Sequence, residues 1–168
     1  MIRIGLISDT HGFFDPAWAE TFAAVDEIWH AGDVGRIDVT DRLADIAPVR
    51  AVYGNVDGRD VRDTWPLDDR FERAGLRIWM THIGGYPGRY DARVRGLLAD
   101  DPPDVFICGH SHILKVTRDA HHGNCWVLNP GAAGHHGFHV VRTVLRFTID
   151  DGAITAMEAV ELGRRGRS

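Results

Sequence analysis

Apolar residues fall along this chain in short runs, each closed by a small polar cluster, and the runs alternate with stretches of helical spacing. Residues 2–7 predict a buried strand, 15–25, with Pro16 near its start, a helix, and 27–31 a second strand. The apolar spacing over 37–47 is helical, Pro48 ends it, and 49–53 returns to strand. Residues 76–81 supply a fourth strand, a loop with glycines and tyrosines spans 84–90, a helix follows over 91–99, and 104–108 forms a fifth strand. The order so far is βαβαβ-like. Beyond it, 125–128, 138–149 and 153–160 have mainly β character with a turn at Asp150, Asp151 and Gly152, which predicts a second sheet packed on the first. No internal repeat, low-complexity tract or linker divides the chain, so 1–162 reads as one domain and the Gly- and Arg-rich stretch 163–168 as a disordered tail.

The polar clusters carry the candidate chemistry. Asp9 with His11, Asp33 after Gly32, Asn55 after Gly54, His82, and His110 with His112 after Gly109 each follow a predicted strand. In a mainly parallel sheet, ligand sites collect just outside the carboxyl ends of the strands, so five separate segments can feed one pocket. Asp9 and His11 are two positions apart, as are His110 and His112, and an extended backbone would project each pair to one side. Carboxylate oxygen, amide oxygen and imidazole nitrogen together suit Mn, Fe, Co, Ni or Zn better than a site built of oxygen alone. Each cluster by itself reads as an ordinary turn, a helix-capping carboxylate or a polar strand end. All five in this order, each after a strand, predict a two-metal phosphoesterase site.

Composition narrows the classes. With 168 residues, 44% hydrophobic and 26% charged, the chain fits a globular domain able to bury its own core. A formal charge of -5 offers no broad footprint for nucleic acid, although a local basic groove stays open. Met1 leads straight into the first strand without the pattern of an export signal, and no apolar run reaches membrane-spanning length. Cys108 and Cys125 lie in apolar, strand-like surroundings, which favours buried reduced thiols over a bridge. A cytoplasmic enzyme with no membrane association is expected. The glycines lack the spacing of a nucleotide P-loop, and no serine sits in a nucleophile elbow, so covalent hydrolase chemistry is disfavoured.

Taken together, these clusters resemble the signature of the calcineurin-like metallophosphoesterases, specifically the small YfcE-type phosphodiesterase branch. That signature, Asp-x-His, Gly-Asp, Gly-Asn, His, Gly-His-x-His, is matched here by Asp9, His11, Asp33, Asn55, His82, His110 and His112. The resemblance covers most of the chain. It implies an α/β fold, an αββα sandwich of two mixed β-sheets flanked by helices. It also implies one metal on Asp9, His11 and His112, another on Asn55, His82 and His110, and Asp33 bridging both. Two divalent ions are expected, manganese first, with Fe, Ni, Co, Zn or Mg as alternatives. A hydroxide between them, rather than a side chain, would attack a phosphate ester, most readily a phosphodiester. Asn129, Pro130 and Gly131 resemble the family's Asn-Pro-Gly loop, and His30 precedes Gly-Asp in a family-like way.

Larger relatives place a histidine directly after the asparagine, where it resembles a proton donor; this chain has Val56, and Asp57 one position later. Asp57 is the candidate catalytic residue, with a turn or supporting role as the competing reading. Without a dedicated acid, esters with stabilised leaving groups should be cleaved best. Candidate substrate-binding residues are Asn55, Asn129, Gly131, His135 and His136, the last two in a loop over 131–137 that can reach the pocket. Tyr90 and Arg89 are expected to face solvent, with lining or covering the pocket as the competing reading. His139 is expected in a strand, packed or facing outward, and His121 and His122 in a hairpin turn, so no third metal site is expected. The partner is a small phosphate ester, with homo-oligomers allowed. The alternative is a protein-interaction scaffold on the same fold, like the retromer-associated eukaryotic relative, with little or no catalysis. A nuclease would need a basic groove that this composition does not advertise.

Overall fold

The computed structural model describes residues 1–166 of the chain. Ten strands form two five-stranded mixed sheets. The first has the order β10-β9-β1-β2-β3, from β1 (Ile2–Ile7), β2 (Glu27–His30), β3 (Val49–Ala51), β9 (Val141–Asp150) and β10 (Ala153–Arg164). The second has the order β4-β5-β6-β8-β7, from β4 (Asp68–Arg73), β5 (Leu76–Thr81), β6 (Val105–Ile107), β7 (Leu114–Asp119) and β8 (Cys125–Pro130). β1, β2 and β3 run parallel, as do β5, β6 and β8, while β9, β10, β4 and β7 pair antiparallel at the flanks.

The two-residue period of the strands sorts their side chains into three apolar layers. Ile4, Leu6, Trp29, Ile78, Met80, Val105, Ile107, Leu145 and Phe147 fill the space between the sheets. Their neighbours Ile7 and Ile28 face outward against α1 (Trp18–Thr21), α2 (Ile37–Ala44) and α3 (Arg59–Thr64), through Trp18, Phe22, Val39, Leu43 and Val61. Trp79, Phe106 and Val127 point to the opposite exterior, against Val94 and Leu98 of α4 (Ala92–Asp100). The result is the αββα sandwich. Gly5 is needed at its place in β1, because any side chain there would collide with the Phe22 ring.

Several elements depart from the pattern-based expectation. The helix expected over 15–25 is only α1, Trp18–Thr21, because Ala23 N–H and Val25 N–H donate to carbonyls three residues back and tighten the chain into turns. α3, β4 and β7 carry no sequence signal of amphipathic strength: α3 buries only Val61, and β4 and β7 are charged edge strands. The ladder expected from residue 138 begins at Val141, leaving His139 in a loop. The tail expected to be disordered over 163–168 is ordered as far as Gly166. Gly163 and Arg164 pair with β9, Arg165 N–H donates to Val140 at 2.8 Å, and Gly166 N–H donates to His135 Nδ1 at 3.1 Å. Residues 167 and 168 lie outside the described residues. Cys108 and Cys125 are free, buried thiols, pushed by burial up to about 12 and about 11. No helix among the described residues is long and apolar enough to cross a membrane.

Candidate metal centre

The loops leaving β1, β2 and β3 meet those leaving β5 and β6 where the carboxyl ends of both sheets converge. Backbone bonds lock the first two together: Asp9 N–H to Gly32 at 3.0 Å, His11 N–H to Asp33 at 3.0 Å and Gly12 N–H to Val34 at 2.8 Å. Gly109 N–H donates to His82 at 2.9 Å and joins the two loops of the second sheet. Asp9, His11, Asp33, His110 and His112 all have positive φ, between 49° and 69°. The pairs therefore converge through left-handed turns rather than through the extended backbone expected from their spacing. Such residues cost about 1 kcal/mol or more each and persist only where the surroundings hold them.

Asp9, Asp33 and His82 each have one atom tied back and one aimed inward. Asp9 Oδ2 accepts from Ser8 Oγ at 2.7 Å and from His110 N–H at 3.1 Å, which leaves Oδ1 for the centre. Asp33 Oδ1 accepts from Val56 N–H at 3.1 Å, and its Oδ2 lies 3.6 Å from His11 Nε2 and 3.1 Å from His82 Nε2. His82 Nδ1 donates to the Ala31 carbonyl at 2.7 Å, so Nε2 carries the lone pair. Asp9 Oδ1 stands 3.8 Å from His11 Nε2, 3.8 Å from His82 Nε2 and 3.1 Å from His112 Nε2. Two donor groups result, Asp9 with His11 and His112, and Asp33 with His82 and His110. Asp33 Oδ2 lies within reach of an imidazole from each.

Three of these atoms, Asp9 Oδ1, His11 Nε2 and His82 Nε2, are buried with no hydrogen-bond partner among the described residues. Buried polar atoms are almost always paired, so lone pairs facing one another in this way fit cations. Burial opposes ionisation of Asp9, yet positive charge or N–H groups facing it from His11, His112 and His82 hold its carboxyl below the ordinary range, a role that a cation would take over. Burial also opposes ionisation of Asp33, and a proton shared with His82 overcomes it, while burial lowers and the two carboxylates raise His82 in turn, with a net rise. Two buried carboxylates held in the ionised form draw positive charge to the centre.

The remaining sequence candidates divide. Asn55 is exposed and lines a cavity of about 460 Å³ together with His11, Asp33, His110 and His112. His136 lines the same cavity, with its ring 4.8 Å from that of His11. His135 turns the other way, packed at 4.4 Å on Phe13. Asn129 is buried beneath the His110 loop, donating to Gly109 at 2.9 Å and Ser111 Oγ at 3.1 Å while accepting from Gly131 N–H at 3.0 Å. Asp57 is 4% exposed, and its carboxylate accepts from Val34, Gly35 and Gly54 N–H at 3.1, 2.7 and 2.7 Å. It bridges the loops after β2 and β3 rather than lining the cavity. His30 links the same region, accepting from Gly32 N–H at 3.1 Å and donating to Thr10 Oγ1 at 2.9 Å, with burial pushing it down to about 4.

His139 corrects the expectation of a packed or outward-facing strand residue. It lines the cavity, its Nδ1 lies 3.2 Å from His112 Nδ1, and burial pushes its imidazole down. Only Gly137, a break in the apolar run, hinted that the strand starts later. The second histidine pair behaves structurally: His122 Nδ1 and the Tyr90 hydroxyl both reach Asp119 Oδ2, at 2.7 and 2.6 Å, and tie the loop after β5 to the β7–β8 hairpin.

An αββα sandwich bearing two adjacent Asp/His donor groups at the strand ends defines a metallohydrolase-type protein. Residues 2–152 match the calcineurin-like phosphoesterase superfamily domain, and the chain belongs to that superfamily. It is 35% identical over 136 residues to a protein of Methanothermobacter thermautotrophicus named a probable metallophosphoesterase, covering 77% of this chain and 76% of the relative. Among solved structures, an archaeal phosphodiesterase superposes with a TM-score of 0.73 at 22% identity, covering 96% of this chain and 100% of that one. Wild-type Vps29 of Entamoeba histolytica complexed with zinc superposes with a TM-score of 0.74 at 16% identity, covering 96% and 99%. These two likenesses show the shared fold.

Proposed function

We propose that the protein is a dinuclear metal-dependent phosphodiesterase acting on a small phosphate ester in the cytoplasm. The observation that carries this reading is the set of buried, unpartnered lone pairs on Asp9 Oδ1, His11 Nε2 and His82 Nε2. Asp9, His11 and His112 would hold one divalent cation, and His82, His110 and Asn55 the other, with Asp33 shared. Manganese is the first candidate, and the zinc in the Entamoeba neighbour keeps zinc among the alternatives. When bound, such cations polarise water and neutralise phosphoryl charge.

The chain's own groups do the rest. Asp33 reaches both donor groups and so fixes their separation. His136 stands at the cavity wall, where an imidazole can donate a hydrogen bond to a phosphoryl oxygen. Val56, which takes the place of the proton-donating histidine of larger relatives, is half exposed at the same wall. Ile113 and Phe138 complete an apolar rim, with Phe138 wholly exposed. Such a rim suits an ester whose leaving group brings apolar or aromatic surface, and such leaving groups depart without general acid help worth roughly 10² to 10⁴ in rate. A diester loses charge relative to a monoester and gains a second group to contact this rim.

The second reading, a protein-interaction scaffold, draws on the Vps29 neighbours and on the exposed apolar side chains of Ile113 at the cavity and of Leu114, Val116 and Val140. The complete donor set favours catalysis. Elemental analysis combined with turnover of an aryl phosphodiester and an aryl phosphomonoester, with added manganese, tests the proposal. Stoichiometric metal with faster diester cleavage is expected. Metal without turnover on either ester would favour the scaffold, and faster monoester cleavage would overturn the diester assignment.

A further inference from the structure

We infer that His139 is a positioning residue that fixes the tautomer and the aim of the metal ligand His112. The inference rests on the metal-centre reading above and concerns a residue outside the ligand set. His139 Nε2 lies 2.9 Å from the Gly134 carbonyl, which can only accept, so Nε2 carries the hydrogen. In the neutral ring Nδ1 then offers a lone pair, 3.2 Å from His112 Nδ1. A hydrogen bond between these two nitrogens requires the hydrogen to sit on His112 Nδ1. His112 Nε2 is thereby left as a lone pair, 3.1 Å from Asp9 Oδ1, which itself has no hydrogen-bond partner among the described residues. Two lone pairs held face to face repel each other, and a cation between them relieves the repulsion.

The surrounding loop is built to hold this relay. Gly134 N–H donates to the Asp9 carbonyl at 3.1 Å, so the acceptor for His139 is anchored to the ligand loop after β1. Arg165 Nε donates to the His139 carbonyl at 2.9 Å, and Arg165 N–H to Val140 at 2.8 Å, fixing the backbone on either side of the bond. Gly137 adopts a φ of 127°, and a side chain there would strike the His112 ring. The two rings meet edge to face, at 5.1 Å and 75°. His82 is aimed by the same logic, through Nδ1–H to the Ala31 carbonyl. The acceptor for His112 differs in being a side chain, so it can be changed by substitution.

Two substitutions separate an orienting acceptor from a space-filling ring. In His139→Asn the amide oxygen sits where Nδ1 sits and keeps an acceptor for His112; in His139→Gln the amide sits where Nε2 sits and that acceptor is lost. Calorimetric titration of manganese into the metal-free full chain reads the effect without requiring turnover. The Gln variant should weaken one binding step by about 10- to 100-fold, while the Asn variant stays within about threefold of the parent. The visible spectrum of the cobalt-loaded Gln variant should change with it, and all three metal-free chains should melt together. Unchanged manganese affinity in His139→Gln, or equal losses in both variants, would overturn the role of His139. A parent chain that takes up no divalent cation would instead overturn the metal centre itself.

Discussion

Replacing Asp57 by alanine separates a proton donor from a structural brace. Its carboxylate is 4% exposed and takes three backbone N–H groups, from Val34 at 3.1 Å, Gly35 at 2.7 Å and Gly54 at 2.7 Å. These donors belong to the loops after β2 and β3, which also carry Asp33 and Asn55. Truncation leaves them with nothing to bond, at about 1–3 kcal/mol for each buried group. Water entering the shortened site recovers part of that, so a net loss of about 3–5 kcal/mol is expected. For a chain of this size, that is a fall in melting temperature of roughly 6–20 °C. Calorimetry of the metal-free protein, with chelator present, measures the loss without a contribution from cation binding. A pH–rate profile of the loaded variant supplies the second readout: a brace lowers the whole profile, whereas a lost acid removes its alkaline limb. A variant that melts within about 2 °C of the parent, yet loses turnover chiefly at low pH and no longer shows the alkaline fall, would refute the brace.

Asp33→Ala should lose metal content and turnover together, because Asp33 Oδ2 is within 3.6 Å of an imidazole from each donor group; elemental analysis beside the ester assay checks both, and a fully loaded, active variant would contradict the shared role. Manganese at a hundredfold excess over its dissociation constant should stabilise the fold by about 2.7 kcal/mol for each ion bound, seen as a rise in melting temperature of roughly 5–11 °C per ion that chelator reverses. Asp119 is held below the usual carboxylate range by Tyr90 and His122 despite the opposing effect of burial. Its contribution to stability is therefore complete above the unfolded value of 3.8 and lost as the pH falls through the lower folded value. Asp119→Asn should be less stable at neutral pH and lose less on acidification, as followed by urea unfolding across that range; parallel losses in both proteins would refute the linkage.

Much of the scaffold is visible in the chain because burial leaves a period. Ile4 and Leu6 against Gly5 and Ile7, or Trp79 between Ile78 and Met80, sort to opposite faces by alternation alone. The donors are visible for a related reason: polar residues of metal-binding type, each directly after an apolar run, stand at strand ends whatever the pairing of the strands. β4 and β7 escape notice because an edge strand has one covered flank and carries charge on the rest, as Asp68–Arg73 does. α3 escapes because a single apolar residue, Val61, anchors it.

The orientation of the donors is a different matter, because it depends on hydrogen bonds between residues far apart in the chain. Nothing near Asp57 foretells that it will close on the amides of Val34 and Gly35, and nothing near His139 foretells His112. Arg165 looks like part of a loose tail until β10 runs on beside β9 and brings its guanidinium to the His139 carbonyl. Residue types and local periodicity set the buried strands, the amphipathic helices and the identity of the candidate donors, since these follow from each segment's own composition and its need to bury apolar surface. Which atom of Asp9, Asp33 and His82 is tied back, and which is left bare toward the centre, follows from the meeting of loops from two separate sheets, and no single segment contains that information.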